Sequence, residues 1–432
     1  MMIAPLMRGH CTVEVLVSAW ALCAVLIAAA QKPSITVDEV GTLYINSTKK
    51  VVVNGINVEA AFAYLFEATT SMWSTPEQLV ISSATNGAIS VYAADLDGDG
   101  DLDVLSASVD SDKIAWYRNN GNSTFSAQIV ISTAATGAHS VYAADLDGDG
   151  RIDVLSASAN DGKIAWYRNE GNGTFSAQII ISGAAGSARS VYAVDLDGDG
   201  NLDVLSASHN TGMIAWYHNE GNGTFSAQIV ISAAANSAHS VYAADLDGDG
   251  NVDVLSASQN DDKIAWYHNE GDGVFSPQII ISTAADYARS VYAADLDGDG
   301  DLDVLSASWN DDKIAWYRNE GDGIFSAQII ISTAADGACS VYAADLDGDG
   351  DVDVLSASYY DNKIAWYRNN GDGTFLTQLI ISTAAGGARS VYAADLDGDG
   401  DLDVLSASQN SDKIAWYRND GQWDWKARFN VH

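Results

Sequence analysis

The sequence predicts an all-β fold: a seven-bladed β-propeller of four-stranded blades, with calcium loops between the first and second strands of each blade. Three observations predict it. A unit of 50 residues returns seven times, its marker stretch starting at Asp95, Asp145, Asp195, Asp245, Asp295, Asp345 and Asp395, and a period in that range marks repeats that stack or close into a ring. Each unit carries four short β-rich runs separated by turn residues, which is the size of one propeller blade. The seventh unit shows three clear runs, whereas Gln78-Leu79-Val80-Ile81-Ser82, ahead of the first unit, matches the fourth in sequence and register.

In chain order, Val15 to Ala30 form an apolar run ending in small residues before Gln31. A spanning helix needs about 20 apolar residues, so residues 1–30 read as a secretory signal peptide rather than an anchor. Residues 31–72 do not follow the repeat. Within them, TLYIN and KVVVNGINV suggest a hairpin around Asn54-Gly55, because Asn-Gly between β-rich runs favours a type I′ turn.

Residues 73–432 hold the propeller. In its first unit the runs are SVYAADL (90–96), DVLSAS (103–108), KIAWYRN (113–119) and FSAQIVIS (125–132). A Trp in every third run, from Trp116 to Trp416, is expected to pack between blades. Residues 77–82 are expected to fill the fourth place of the last blade, removing an exposed edge. The alternating tail Trp425, Ala427, Phe429 and Val431 competes for that place.

The loop after the first strand carries the chemistry. Asp95, Asp97, Asp99 and Asp103 set carboxylates at positions 1, 3, 5 and 9, while Gly98 and Gly100 let the backbone turn sharply. The same places hold Asp145, Asp147, Asp149 and Asp153, then Asp195, Asp197, Asp199 and Asp203, then Asp245, Asp247, Asp249 and Asp253. Asp295, Asp297, Asp299 and Asp303 follow, then Asp345, Asp347, Asp349 and Asp353, and last Asp395, Asp397, Asp399 and Asp403. Position 7 varies through Asp101, Arg151, Asn201, Asn251, Asp301, Asp351 and Asp401. An Arg side chain cannot bind a cation, so this position is expected to offer its backbone carbonyl. Oxygen-only ligands at this density suit calcium, up to seven ions. The loop is not an EF-hand, because position 12 is Ser106 and the flanks read as strands.

The 432 residues carry a formal charge of -37 with 47% hydrophobic residues, so the chain can bury a large core, and nucleic acid is an unsuitable partner. The seven loops hold more than half of its 58 acidic residues. Three cysteines, Cys11, Cys23 and Cys339, leave one thiol after removal of the leader, so metal rather than disulfide is expected to staple the fold. Cys339 itself reads as a small buried residue.

SVYAADLDGDGDLDVLSAS resembles the FG-GAP/VCBS-type repeat of integrin-α-like propellers, with Asp-x-Asp-Gly-Asp-Gly-x-x-Asp as the loop and Ser106-Ala107-Ser108 where Gly-Ala-Pro would lie. The Phe-Gly of the family is absent; Gly87-Ala88 stand near its place. The resemblance spans about residues 76–420. It implies a calcium-carrying propeller in secreted or surface proteins that adhere or recognise, and it does not imply catalysis.

Differences among the units mark a second face. The turns opposite the acidic loops carry Trp309, Tyr359, Tyr360, Tyr287, His209 and Arg289, beside His139, His239 and Cys339. Aromatic rings with polar tips suit sugar faces or protein interfaces. No G-x-S-x-G, H-E-x-x-H, Cys-x-x-Cys or P-loop occurs. The expected function is therefore recognition of a glycan or a surface protein by a non-enzymatic, extracellular module, with a membrane involved only if the leader stays as an anchor. The alternatives are a calcium-assembled matrix component and a lyase-like polysaccharide enzyme. Sequons at Asn46, Asn122, Asn172 and Asn222 allow glycosylation.

Overall fold

The computed structural model describes residues 76–171, 173–321, 323–419 and 421, with four short strands between residues 34 and 57. The expected leader, the tail 425–431, Asn172 and most of 31–72 lie outside the described residues. Ser34–Val37 pairs with Leu43–Asn46, and Val52–Val53 with Ile56–Asn57. The register Val53↔Ile56 gives the two-residue connection expected at Asn54-Gly55, but LYIN pairs with the preceding run rather than with VVV.

Thr75–Asp424 form one compact unit of seven four-stranded antiparallel sheets. In the first blade the strands are Ala88–Ala94, Asp103–Ser108, Lys113–Tyr117 and Ile129–Ser132. The period-2 pattern sets the packing. Val104 and Tyr117 face the seventh blade with Leu405, Ile414 and Trp416, whereas Leu105, Ile114 and Trp116 face the second blade with Val141, Val154 and Tyr167. Both faces of the second strand are covered, so all six of its residues are buried. Trp116 meets the edge of Phe175 on the next blade, and Trp416 meets Phe125. The repeated Trp is therefore inter-blade packing, and truncating one would cost about 3–5 kcal/mol.

The fourth strand is shorter than the expected 125–132. Phe125 makes only an isolated bridge to Asn119. Ser126 Oγ then accepts the Arg118 amide at 2.9 Å, and the ladder resumes at Ile129. This break also admits Pro277 in the fourth blade, since no ladder donor is needed there.

Two rings tie the inner strands together. Ser90 Oγ accepts the Val141 amide of the next blade at 3.3 Å, and equivalent bonds run round to Ser390 and Val91. Further along the same strands, Tyr92, Tyr142, Tyr192, Tyr242, Tyr292, Tyr342 and Tyr392 form a closed girdle, neighbouring ring centroids lying 4.5–5.0 Å apart. Burial holds most of these phenols above their ordinary range, so the girdle is polar but uncharged.

Gln78–Ser82 completes the last blade, with Leu79 opposite Trp416 and Gln78 opposite Tyr417. An early strand thus closes the ring, as its sequence register predicts.

Candidate functional site

Each acidic loop is shaped by its own first aspartate. Asp95 Oδ1 accepts the amides of Gly98 at 2.7 Å and Asp99 at 3.1 Å, and Oδ2 accepts that of Gly100 at 3.0 Å. Gly98 and Gly100 have φ of 78° and 95°, and open space surrounds the place of a Cβ, so backbone conformation alone demands glycine there. Asp103 is fully buried; its Oδ2 accepts the Leu96 amide and its Oδ1 the Asn119 amide. Burial pushes its carboxyl up to about 7 although the two amides pull it down.

Sequence reasoning missed two partners of the loop. Asn119 Nδ2 donates to Leu102 O in its own blade and to Leu396 O of the preceding blade, joining adjacent loops. Arg118 reaches into the acidic cluster, Nε lying 2.6 Å from Asp97 and Nη2 2.9 Å from Asp99. Arg168, Arg318, Arg368 and Arg418 repeat this, while His218 and His268 place Nδ1 2.8 Å from Asp197 and Asp247. The available signal was an Arg or His two residues after every repeated Trp.

The residues fit a hard cation by their donor chemistry. Ligand oxygens of Asp95, Asp97 and Asp99 lie within 4.8 Å of one another, as do those of Asp145, Asp147 and Asp153. Asp97 Oδ1, Asp347 Oδ1 and Asp397 Oδ1 are buried and accept no hydrogen bond. In blades three and four, His218 and His268 add an imidazole nitrogen to the oxygen set. The position-7 side chains of Asp101, Arg151, Asn201 and Asp351 lie against Gly121, Gly171, Gly221 and Gly371.

At the opposite end of the sheets the turns form a mouth around a cavity of about 440 Å³. Successive inner strands present Ile89, His139, Arg189, His239, Arg289, Cys339 and Arg389 to it. Arg289 Cζ lies 3.8 Å from the Trp309 ring centroid, and Arg389 Cζ 4.3 Å from that of Tyr359. Trp309 also packs against Tyr359 and Tyr360, at 5.3 and 4.9 Å. His139 and His239 meet edge to face at 5.4 Å. Their Nδ1 atoms lie 2.9 and 2.8 Å from the Arg189 and Arg289 carbonyls, and since a carbonyl only accepts, Nδ1 carries the proton. Burial and the nearby arginines hold both imidazoles well below their ordinary range.

The FG-GAP-like repeat family matches residues 95–156, 145–206, 195–256, 245–306, 300–356, 345–406 and 395–432. The chain belongs to this family. No curated protein sequence matches it significantly. Among solved structures, the FG-GAP-like propeller is similar to an Agrocybe aegerita lectin that specifically recognises non-reducing terminal N-acetylglucosamine, with 21% identity and a TM-score of 0.52 over 69% of this chain and 81% of the lectin. It is also similar to virginiamycin B lyase from Staphylococcus aureus, with 13% identity and a TM-score of 0.54 over 79% of this chain and 99% of the lyase. These likenesses are of fold.

Of the ligand-face residues expected in this FG-GAP-like propeller, the structure brings Tyr287, Arg289, Trp309, Tyr359 and Tyr360 into one cluster. His209 lines the same cavity outside this cluster, its Nε2 3.1 Å from Gln259 Oε1. The three histidines therefore divide into a buried pair and a separate residue. Cys339 is buried, as expected, and borders the mouth 3.8 Å from Arg389 Nη1.

Proposed function

We propose that this FG-GAP-like propeller is a secreted or cell-surface recognition module that binds a glycan or a surface protein at the mouth bearing Trp309 and Tyr359. The observation that carries this reading is the layered stack of Arg289, Trp309, Tyr359 and Arg389. Each guanidinium lies over a ring, which holds these large side chains at the rim with little rotational freedom left to lose on binding. That is the character of a binding surface rather than of solvated turns. The Agrocybe aegerita lectin, similar in fold, recognises non-reducing terminal N-acetylglucosamine.

In this reading the opposite end is structural. Calcium would be held by Asp95, Asp97, Asp99 and Asp103 and their six sets of counterparts, and it would supply positive charge that lets the carboxylates converge. Arg118 and its equivalents supply part of that charge within the protein itself. Extracellular calcium near millimolar fills about half or more of even weak modules of this class, ~10⁻⁴ to 10⁻³ M.

The test is a glycan and cell-wall polysaccharide array probed with the folded protein in millimolar calcium, with Trp309→Ala alongside. Selective binding lost in the variant supports the reading. Binding that Trp309→Ala leaves intact removes the rim from it.

A further inference from the structure

We propose that the mouth takes an anionic sugar, its carboxylate or sulfate seated on Arg189, Arg289 and Arg389. This rests on the recognition reading of the same mouth and names the class of ligand. The first ground is a contrast in pairing. Among the described residues, Arg118, Arg151, Arg168, Arg318, Arg368 and Arg418 each have a carboxylate oxygen within 4 Å. Arg189, Arg289 and Arg389 have none, in a chain of net charge -37. They lie on alternate blades and converge on one cavity whose lining includes no Asp or Glu.

Part of their donor set lacks a partner. The Nε atoms of Arg189 and Arg289 are buried and make no hydrogen bond, while that of Arg389 is taken by Gln409 Oε1 at 2.7 Å. Three like charges crowded together raise one another's energy, and burial and this repulsion hold Arg189 and Arg289 below their ordinary range. An anion relieves that cost. Guanidinium groups pair bidentately with carboxylate and sulfate oxygens, so the geometry selects an oxyanion rather than a halide. The floor adds a second set of donors: Ser90, Ser140, Ser190, Ser240, Ser340 and Ser390 line the cavity, and each accepts a backbone amide of the next blade, which leaves its own O–H to give.

Sugar rather than free phosphate follows from the rim and the volume. Trp309 and Tyr359 carry two of the arginines over their rings and so set aromatic surface beside the charges, and about 440 Å³ exceeds what a bare oxyanion fills.

The experiment is titration of the folded full chain in millimolar calcium with acidic oligosaccharides, carboxylated and sulfated, each against its neutral counterpart, and with inorganic sulfate. The expected result is a preference of at least ~10-fold for an acidic over the matching neutral sugar, weakened by salt and competed by sulfate. The carboxylated and sulfated arms identify which oxyanion is taken. Arg189→Gln, which lies away from the aromatic stack, is expected to lose ~10-fold or more, whereas Lys263→Gln, which removes a charge paired with Asp261, leaves binding unchanged. Selective binding of neutral sugars without acid preference overturns the inference and leaves the recognition reading standing. Acid-selective binding that survives in a folded Arg189→Gln, Arg389→Gln double variant also overturns it. A folded wild type that binds no sugar of either kind overturns the inference together with the glycan arm of the recognition reading, and leaves only a surface protein as its ligand.

Discussion

The side-chain amide of Gln78 donates to the hydroxyl of Tyr417 at 2.8 Å, across 339 residues of sequence. Gln128 does the same to Tyr117 inside the first blade, at 2.9 Å. The closing strand thus repeats the interactions of an ordinary fourth strand, with Leu79 and Ile81 packed into the junction of the seventh and first blades. Deleting 73–84 is expected to lower the thermal midpoint strongly and to produce aggregates in size-exclusion chromatography, because Lys413–Tyr417 becomes an open edge. Gln78→Ala, which removes one part-buried hydrogen bond, should cost only about 1 kcal/mol. A deletion with unchanged melting would refute the closure.

Glycines of equal φ should differ in cost. Gly223 has φ of 72°, and a Cβ there would stand 2.6 Å from Trp166 of the preceding blade; Gly98 has φ of 78° with open space around it. Gly223→Ala therefore adds overpacking of ~1–3 kcal/mol to the backbone strain that Gly98→Ala carries alone. Gly183 lacks the left-handed conformation and meets nothing, so Gly183→Ala is expected to be neutral or slightly stabilising. Urea midpoints of the three variants check the order.

Metal-stripped protein is expected to take up calcium by calorimetric titration and to melt higher as calcium rises. Within one loop, Asp103→Ala should destabilise more than Asp97→Ala even under chelation. Asp103 holds two backbone amides in the buried core, while Asp97 holds the side chain of Arg118 at the surface. Each lost buried bond costs ~1–3 kcal/mol. No calcium uptake would sink the structural role of the metal.

The histidine pair predicts acid sensitivity. His139 and His239 face Arg189, Arg289 and Arg389, and burial and these arginines hold their folded-state values well below 6.5. The unfolded chain binds the extra protons first, so stability is fully present above about 6.5 and declines as pH falls below it. At saturating calcium, the double variant His139→Gln, His239→Gln should show a shallower loss of melting temperature between pH 6.5 and 5. An unchanged slope would contradict the assignment.

Much of this molecule is legible along the chain because its determinants are periodic. Asp95 recurs every 50 residues, Trp116 with it, and Gln78–Ser82 repeats the words of Gln128–Ser132. Such patterns report strand alternation, turn chemistry and the count of blades without any knowledge of distance. The fourth strand was misjudged because a hydroxyl, Ser126 Oγ, replaces a ladder partner, and β-propensity does not register that exchange. Arg118 was overlooked because an arginine after a strand reads as an ordinary exposed charge; only its placement 2.6 Å from Asp97 makes it part of the loop.

By itself, the sequence determined the seven-bladed ring, the strand that closes it and the acidic loops, since each depends on local residues repeated in register. The tertiary structure decided which residues distant in sequence meet. His139 and His239 touch although 100 positions separate them, Arg189, Arg289 and Arg389 share one cavity, and seven tyrosines close into a girdle. Ring closure carries equal spacing along the chain onto a circle, so every inner-strand position converges on the axis. Whether a side chain there meets a ring, a carbonyl or another charge then depends on its neighbours across blades, which no single repeat contains.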